Sequence, residues 1–249
     1  MPAERLTTLI ELLRESDDVE LKLTVPETSQ RSAVAALDVD PLTAQIRQVY
    51  FLDTPDLQLD RAGVVARARR VQVKGDDTVV KLRPVVPDEV PAEVRALPEF
   101  VVELDAMPGG YMCSGSLKGV PKRATVREAV AGAHPVSKLF SKAQRRFFAD
   151  HAPDGVGLDD LSFLGPIFVL KLKFEPPELA RRMVAEMWLY PDGTRIMELS
   201  TKCGTNEAFD VAVDATAFLT DRGIEVGPSG QQTKTRTALE FFSRELQGA

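Results

Sequence analysis

Asp18, Glu20 and Lys22 alternate with Val19, Leu21, Leu23 and Val25 in DVELKLTV, so charges repeat at the period of a β-strand. Side chains at i and i+2 share a face, which puts the three charges on one side and the aliphatics on the other. One such strand is what any antiparallel sheet with a wet face shows. Here the pattern recurs: Arg67 and Arg69 in VVARARRV, Lys81 and Arg83 in TVVKLRPV, Glu103 and Asp105 in FVVELDAM, Lys171 and Lys173 in IFVLKLKF, and Glu198 with Ser200 and Lys202 in RIMELSTKC. An ordinary solvent face mixes Thr, Ser, Gln and Asn, whereas these faces are almost purely carboxylate, guanidinium and ammonium. Guanidinium groups grip phosphate oxygens bidentately and ammonium groups act as point charges. Carboxylates crowded together repel one another unless a cation removes that cost. Closed into a barrel with the charges inward, the strands would form a tunnel for a highly anionic ligand and divalent cations. The plainer alternatives stand beside this: the acids salt-bridged to neighbouring bases without metal, and the bases on a solvated face.

Positioning those faces requires strands and turns, and the punctuation for them is present. MPAERLTTLIELLRES reads as an amphipathic helix ahead of the first strand. Gly75-Asp76-Asp77 reads as the hairpin turn between the Arg67/Arg69 and Lys81/Arg83 strands, and Pro191-Asp192-Gly193 as the hairpin between VAEMWLY and RIMELSTK. DTPD at 53–56 is a turn, VVPDEVPAEVRALPEF a Pro-rich loop, and residues 107–111 and 165–167 are breakers. Residues 124–133 are expected to be helical. From residue 206 a helix is expected on Phe209, Val213, Thr216 and Ala217, and a last one over about 233–246, whose start in QQTKTR could lend Lys234 or Arg236 to the tunnel mouth, a solvated helix start being the plainer reading. The fold class is α+β: a closed antiparallel β-barrel, strands from about 18 to 203, with helices packed outside, and 1–249 as a single domain.

Composition narrows the function. Net charge −6 argues against non-specific nucleic-acid binding, which depends on clustered bases neutralising phosphates. Yet between Arg61 and Arg83 seven bases face only Asp76 and Asp77, so the local balance is opposite to the global one. An acidic shell around a basic interior selects small anions able to enter. Cys113 and Cys203 lack metal-type spacing and read as reduced thiols. No apolar run approaches a membrane span and the N-terminus lacks a signal-peptide pattern, so a cytoplasmic protein without membrane partners is expected.

The order of these segments resembles the CYTH domain of the triphosphate tunnel metalloenzymes. The carrying residues are the DxExK strand, YFLDTPDLQLDRAGVVARARR, VVKLR, ExD, KAQRR and LDDLSFLGP, spanning roughly residues 18–203. That superfamily includes class IV adenylyl cyclases, thiamine triphosphatases and inorganic tripolyphosphatases. The resemblance implies Mg2+ or Mn2+ held by Asp18, Glu20, Glu103, Asp105 and Glu198, with Glu20 and Lys22 at the catalytic position. It implies phosphate binding by Lys22, Arg67, Arg69, Lys81, Arg83, Lys142, Arg145, Lys171, Lys173 and Lys202, with Lys142 and Arg145 on a later strand and Arg146 exposed. Two departures stand out. Most members open with ExExK, so Asp18 is a shortened acid, and the ExE strand that helps build the metal site in hydrolytic members reads Lys171-Leu-Lys173 here. The second change swings the local charge towards anion binding and leaves Glu198 and Asp159 as candidate replacement acids.

Three functions follow as expectations. One is a metal-dependent phosphohydrolase acting on a triphosphate or polyphosphate. Another is a class IV type adenylyl cyclase, in which the ribose 3′-hydroxyl attacks the α-phosphorus. The last is a non-catalytic polyphosphate or nucleotide binding module, motivated by Lys171 and Lys173.

Overall fold

The computed structural model describes residues 3–227 and 234–248. Nine strands close into one barrel: β1 (Asp18–Val25), β2 (Gln45–Asp53), β3 (Val64–Val71), β4 (Gly75–Leu82), β5 (Phe100–Met107), β6 (Gly110–Gly119), β7 (Ser162–Phe174), β8 (Met183–Leu189) and β9 (Arg195–Cys203). Their order around the barrel is β1-β5-β6-β4-β3-β2-β7-β8-β9, and β9 returns to β1. Every neighbouring pair is antiparallel except β1 and β5, which run parallel. The barrel is therefore mixed where a purely antiparallel one is expected. Alternation fixes which face a residue takes but carries no information about strand direction, and β1 and β5 are joined by a long excursion that permits a parallel seam.

Helices α1 (Ala3–Glu15), α2 (Gln30–Ala36), α3 (Gln58–Arg61), α4 (Ala92–Arg95), α5 (Thr125–Val130), α6 (Lys142–Ala149), α7 (Ala208–Asp221) and α8 (Lys234–Gly248) pack around it. The aliphatic face of each charged strand is what they cover. Leu13 of α1, Val126 of α5 and Phe147 of α6 join Val19, Val80, Val102 and Leu104 in one core, while Ala33 of α2 and Phe218 and Leu219 of α7 cover Leu23, Val25 and Leu199. Each large aliphatic or aromatic side chain so buried contributes about 1.5–3 kcal/mol. Ala238, Leu239 and Phe242 of α8 pack with Phe51 and Trp188, two residues that also line the barrel interior, so α8 covers one end of it.

Several expectations are corrected. Asp76 and Asp77 lie inside β4, opposite Arg70 and Arg69, and the turn falls at residues 72–74. The Gly165-Pro166 breaker does not end a strand: β7 runs through it, with a register irregularity opposite Val49 and Phe51. Gly165 is required there, because its φ is +154° and a Cβ would meet the Val49 carbonyl oxygen at 2.7 Å. KAQRR is helix α6 and not a strand. Ser141 accepts from the Gln144 amide at 3.2 Å while the Gln144 side chain accepts from the Ser141 amide at 3.0 Å, a capping box spelled by S-x-x-Q. In α7 the buried residues are Val211, Ala215, Phe218 and Leu219, whereas Phe209 and Val213 are exposed. AFDVAVDATAFL is apolar on more than one side, and packing chooses the face.

Candidate functional site

The inward faces enclose a cavity of about 270 Å³ lined by ten cationic and five carboxylate side chains. Its interior is thus basic inside a chain of net charge −6. Three walls divide these charges.

The first wall is the β1–β5 seam with β9. Register sets Glu20 level with Asp105 on one side and Lys202 on the other. Lys22 Nζ donates to Asp105 Oδ1 at 2.7 Å and lies 3.1 Å from Glu20 Oε2, Lys81 Nζ lies 3.7 Å from Asp105 Oδ2, and Lys202 pairs with Glu103. Burial alone would push the Glu20 carboxyl up, but Lys22 and Lys202 outweigh it and bring it down to about 2. Burial likewise opposes the Lys22 charge, and Asp105 and Glu20 more than restore it, so its pKa is raised. Glu20, Glu103 and Asp105 each present an oxygen within 4.8 Å of the others.

The second wall, β2 to β4, is cationic: Arg47, Arg67, Arg69, Lys81 and Arg83 face the cavity. Asp77 holds Arg69 through Nε at 2.9 Å and Nη2 at 2.6 Å. Arg67 differs, because its Nε is buried and has no hydrogen-bond partner among the described residues. Burial and then Arg69 lower Arg67 to about 10. Burial also lowers Lys81, to about 8, with Lys22, Arg83 and Arg67 adding to it and Asp105 opposing. Half-buried Arg67 thus keeps a buried N–H donor for which an anionic oxygen is a suitable acceptor.

The third wall, β7 to β9 with α8, pairs acids with bases. Lys171 Nζ lies 2.9 Å from Glu186 Oε1, and Lys234 Nζ lies 2.8 Å from Glu186 Oε2 and 2.5 Å from Glu198 Oε1. Trp188 Nε1 donates to Glu186 Oε2 at 3.2 Å, and the Lys234 ammonium sits 5.0 Å from the indole centroid.

Of the residues expected from the sequence, the cavity gathers Glu20, Lys22, Arg67, Arg69, Lys81, Arg83, Glu103, Asp105, Lys171, Glu198 and Lys202. Asp18 stands opposite Glu103 in the seam yet outside the carboxylate trio. Lys173 is exposed at the end of β7. Lys142 and Arg145 are exposed on α6, outside the barrel, where Arg145 donates to the Phe140 carbonyl at 2.7 Å; the expected strand is a helix because the Ser141–Gln144 capping box starts one there. Arg146 is exposed as expected, on a helix. Asp159 accepts from the Ser137 amide at 2.7 Å and hydroxyl at 2.9 Å, away from the cavity. Sequence reasoning missed Arg47, Lys118 and Glu186, each a single charge on its strand's inner face or mouth with no i+2 partner to mark it. Lys234 is not solvated as expected, and Gln231 to Thr233 lie outside the described residues.

A divalent cation fits the first wall on its donor chemistry. Carboxylate oxygens are hard ligands suited to Mg2+ or Mn2+, and three of them converge with only modest movement needed to reach ligand distances. The three lysines at the trio balance its charge, so a bound cation would leave an excess of positive charge for a polyanion.

No family model and no curated protein matches the sequence. Among solved structures, a Hippeastrum protein described as a candidate adenylyl cyclase with a dominant triphosphatase activity superposes with a TM-score of 0.66 at 16% identity, over 90% of this chain and 96% of that one. A candidate adenylate cyclase from Bacillus halodurans superposes with a TM-score of 0.61 at 14% identity, over 89% of this chain and 97% of that one. The chain shares the barrel fold of these two proteins.

Proposed function

We propose that the cavity binds a small triphosphate or polyphosphate anion with a divalent cation and hydrolyses it. The observation that carries this is the division of one enclosed site into a carboxylate trio and a guanidinium wall in which the buried Nε of Arg67 lacks a partner among the described residues. Phosphoryl transfer asks the protein for positioning and charge stabilisation more than for covalent chemistry. Arg47, Arg67, Arg69 and Arg83 bind and orient the phosphate oxygens, and Lys81 adds a point charge beside them. Glu20, Glu103 and Asp105 would hold Mg2+ or Mn2+, which when bound supplies charge neutralisation and Lewis acidity at the phosphates. Lys22, bonded to Glu20 and Asp105, fixes their orientation. The acidic exterior and enclosed interior favour a small anion over nucleic acid. The triphosphatase activity named for the Hippeastrum protein, which shares the fold, points the same way.

The test is a panel of tripolyphosphate, ATP, thiamine triphosphate and long polyphosphate with Mg2+ or Mn2+, read for phosphate, pyrophosphate and cyclic AMP. Metal-dependent phosphate release that is lost in folded Glu20→Ala is expected. Cyclic AMP with pyrophosphate would replace this reading by a cyclase, and binding without turnover on every substrate by a receptor.

A further inference from the structure

Glu186 and Glu198 form a second pair of carboxylates in the cavity, adjacent in register on β8 and β9, and neither belongs to the trio. Two acids side by side in a low-dielectric wall repel each other unless something positive lies between them. Here that something is part of the chain. Lys234, at the start of α8, places Nζ within 2.8 Å of one carboxylate and 2.5 Å of the other and over the Trp188 indole. The helix that carries it is fixed by Ala238, Leu239 and Phe242 in the core and by the Tyr190 hydroxyl, which donates to the Lys234 carbonyl at 3.1 Å. Lys171 takes the remaining oxygen of Glu186. Two acids thus face two ammonium groups, each within 2.9 Å of a carboxylate oxygen, so a divalent ion could enter only by displacing one of them.

The trio on the neighbouring wall, which meets this one at β9, differs in ways that leave it open. It has three acids instead of two, and its third member, Glu103, is held by Lys202, whose side chain is 49% exposed and free to turn outward. Lys202 therefore yields more readily than Lys234, which is anchored at its backbone.

We propose that the Lys234 ammonium is a built-in cation that occupies the Glu186–Glu198 pair in place of a divalent ion, so that the cavity holds one metal. The second half of this rests on the reading of Glu20, Glu103 and Asp105 as the metal site. Glu198, expected from the sequence as a metal ligand, becomes the partner of a lysine, and Lys234 becomes a positioning residue that ties α8 to the cavity.

The experiment counts Mn2+ by equilibrium dialysis with electron paramagnetic resonance on the whole chain. One Mn2+ is expected in the parent, none in Glu20→Gln, and one still in Glu198→Gln, whose carboxylate is not among the trio. Lys234→Glu, which would place a third acid beside the pair, is expected to bind a second Mn2+, and adding Glu198→Gln to it should remove that second ion. Two ions in the parent, loss of an ion in Glu198→Gln, or a folded Lys234→Glu that still binds one would overturn the proposal. If Lys234→Glu does not fold, the parent count and Glu198→Gln decide. A parent that binds none refutes the trio as a metal site, and the built-in cation is then judged on whether Lys234→Glu gains an ion.

Discussion

Arg67 is the residue on which anion binding rests most heavily, because its Nε is buried with no partner among the described residues, and Arg69 beside it is already engaged by Asp77. Arg67→Ala should weaken tripolyphosphate binding by about 1.5–3 kcal/mol, the worth of a charged hydrogen bond, read by titration calorimetry. Unchanged affinity would remove Arg67 from the ligand set. Lys81 gives the site a pH dependence. Burial brings it from 10.5 down to about 8, so in the empty site it carries its proton below that value and loses it above. Burying the charged form opposes folding at neutral pH, a cost that fades as pH rises from about 8 towards 10.5. Anion binding runs the other way: affinity should fall between pH 7 and 9, with proton uptake on binding near pH 8. Lys81→Arg should flatten that slope, and a parent with no slope would contradict the assignment.

The elements present these side chains through register, and the third wall shows what a break would cost. Burial would raise the Glu186 carboxyl, but Lys234 and Lys171 hold it well below its ordinary 4.5. A depressed acid contributes stability above its unfolded value that is lost as pH falls through the folded one. Glu186→Gln leaves the half-buried Lys171 ammonium without its carboxylate and Lys234 with Glu198 alone, and should destabilise the barrel at pH 7 by roughly 3 kcal/mol, the low end for a broken buried pair because the cavity is wet. The gap in melting temperature between parent and variant should close as pH falls well below 4.5; a gap that persists there would mean that packing is responsible. Gly63 holds another junction, where α3 meets β3: φ is +72° and a Cβ would lie 2.7 Å from the Arg83 carbonyl oxygen. Gly63→Ala should therefore cost about 1–3 kcal/mol in denaturant titration and disturb Arg83. Strands with paired charges were legible in the sequence, because two like groups at i and i+2 stand out against aliphatics. Glu186 and Arg47 were not, since a lone charge on a strand looks like any solvent-facing residue. Helix α6 was misread because two bases three apart suit a strand resemblance as well as a helix, and only the Ser141–Gln144 box separates them.

At the scale of the molecule, the chain sorts its charge radially, with acids prevailing over the whole sequence and bases prevailing around the cavity. The closed barrel was legible from six alternating segments, but the parallel β1–β5 seam that brings Glu20 beside Asp105 was not, since direction leaves no mark in a period-two pattern. Lys234 was legible only as a residue the last helix could lend to the mouth; its carboxylate partners were hidden, because those contacts exist only once α8 covers the barrel. The central claim is that one cavity holds a divalent cation on the trio and a polyphosphate on the guanidinium wall. Anomalous diffraction from crystals grown with Mn2+ and tripolyphosphate tests it most directly. The account predicts a single manganese peak at bonding distance from Glu20, Glu103 and Asp105, with phosphate density against Arg67. Manganese between Glu186 and Glu198, or tripolyphosphate bound outside the barrel, would contradict it.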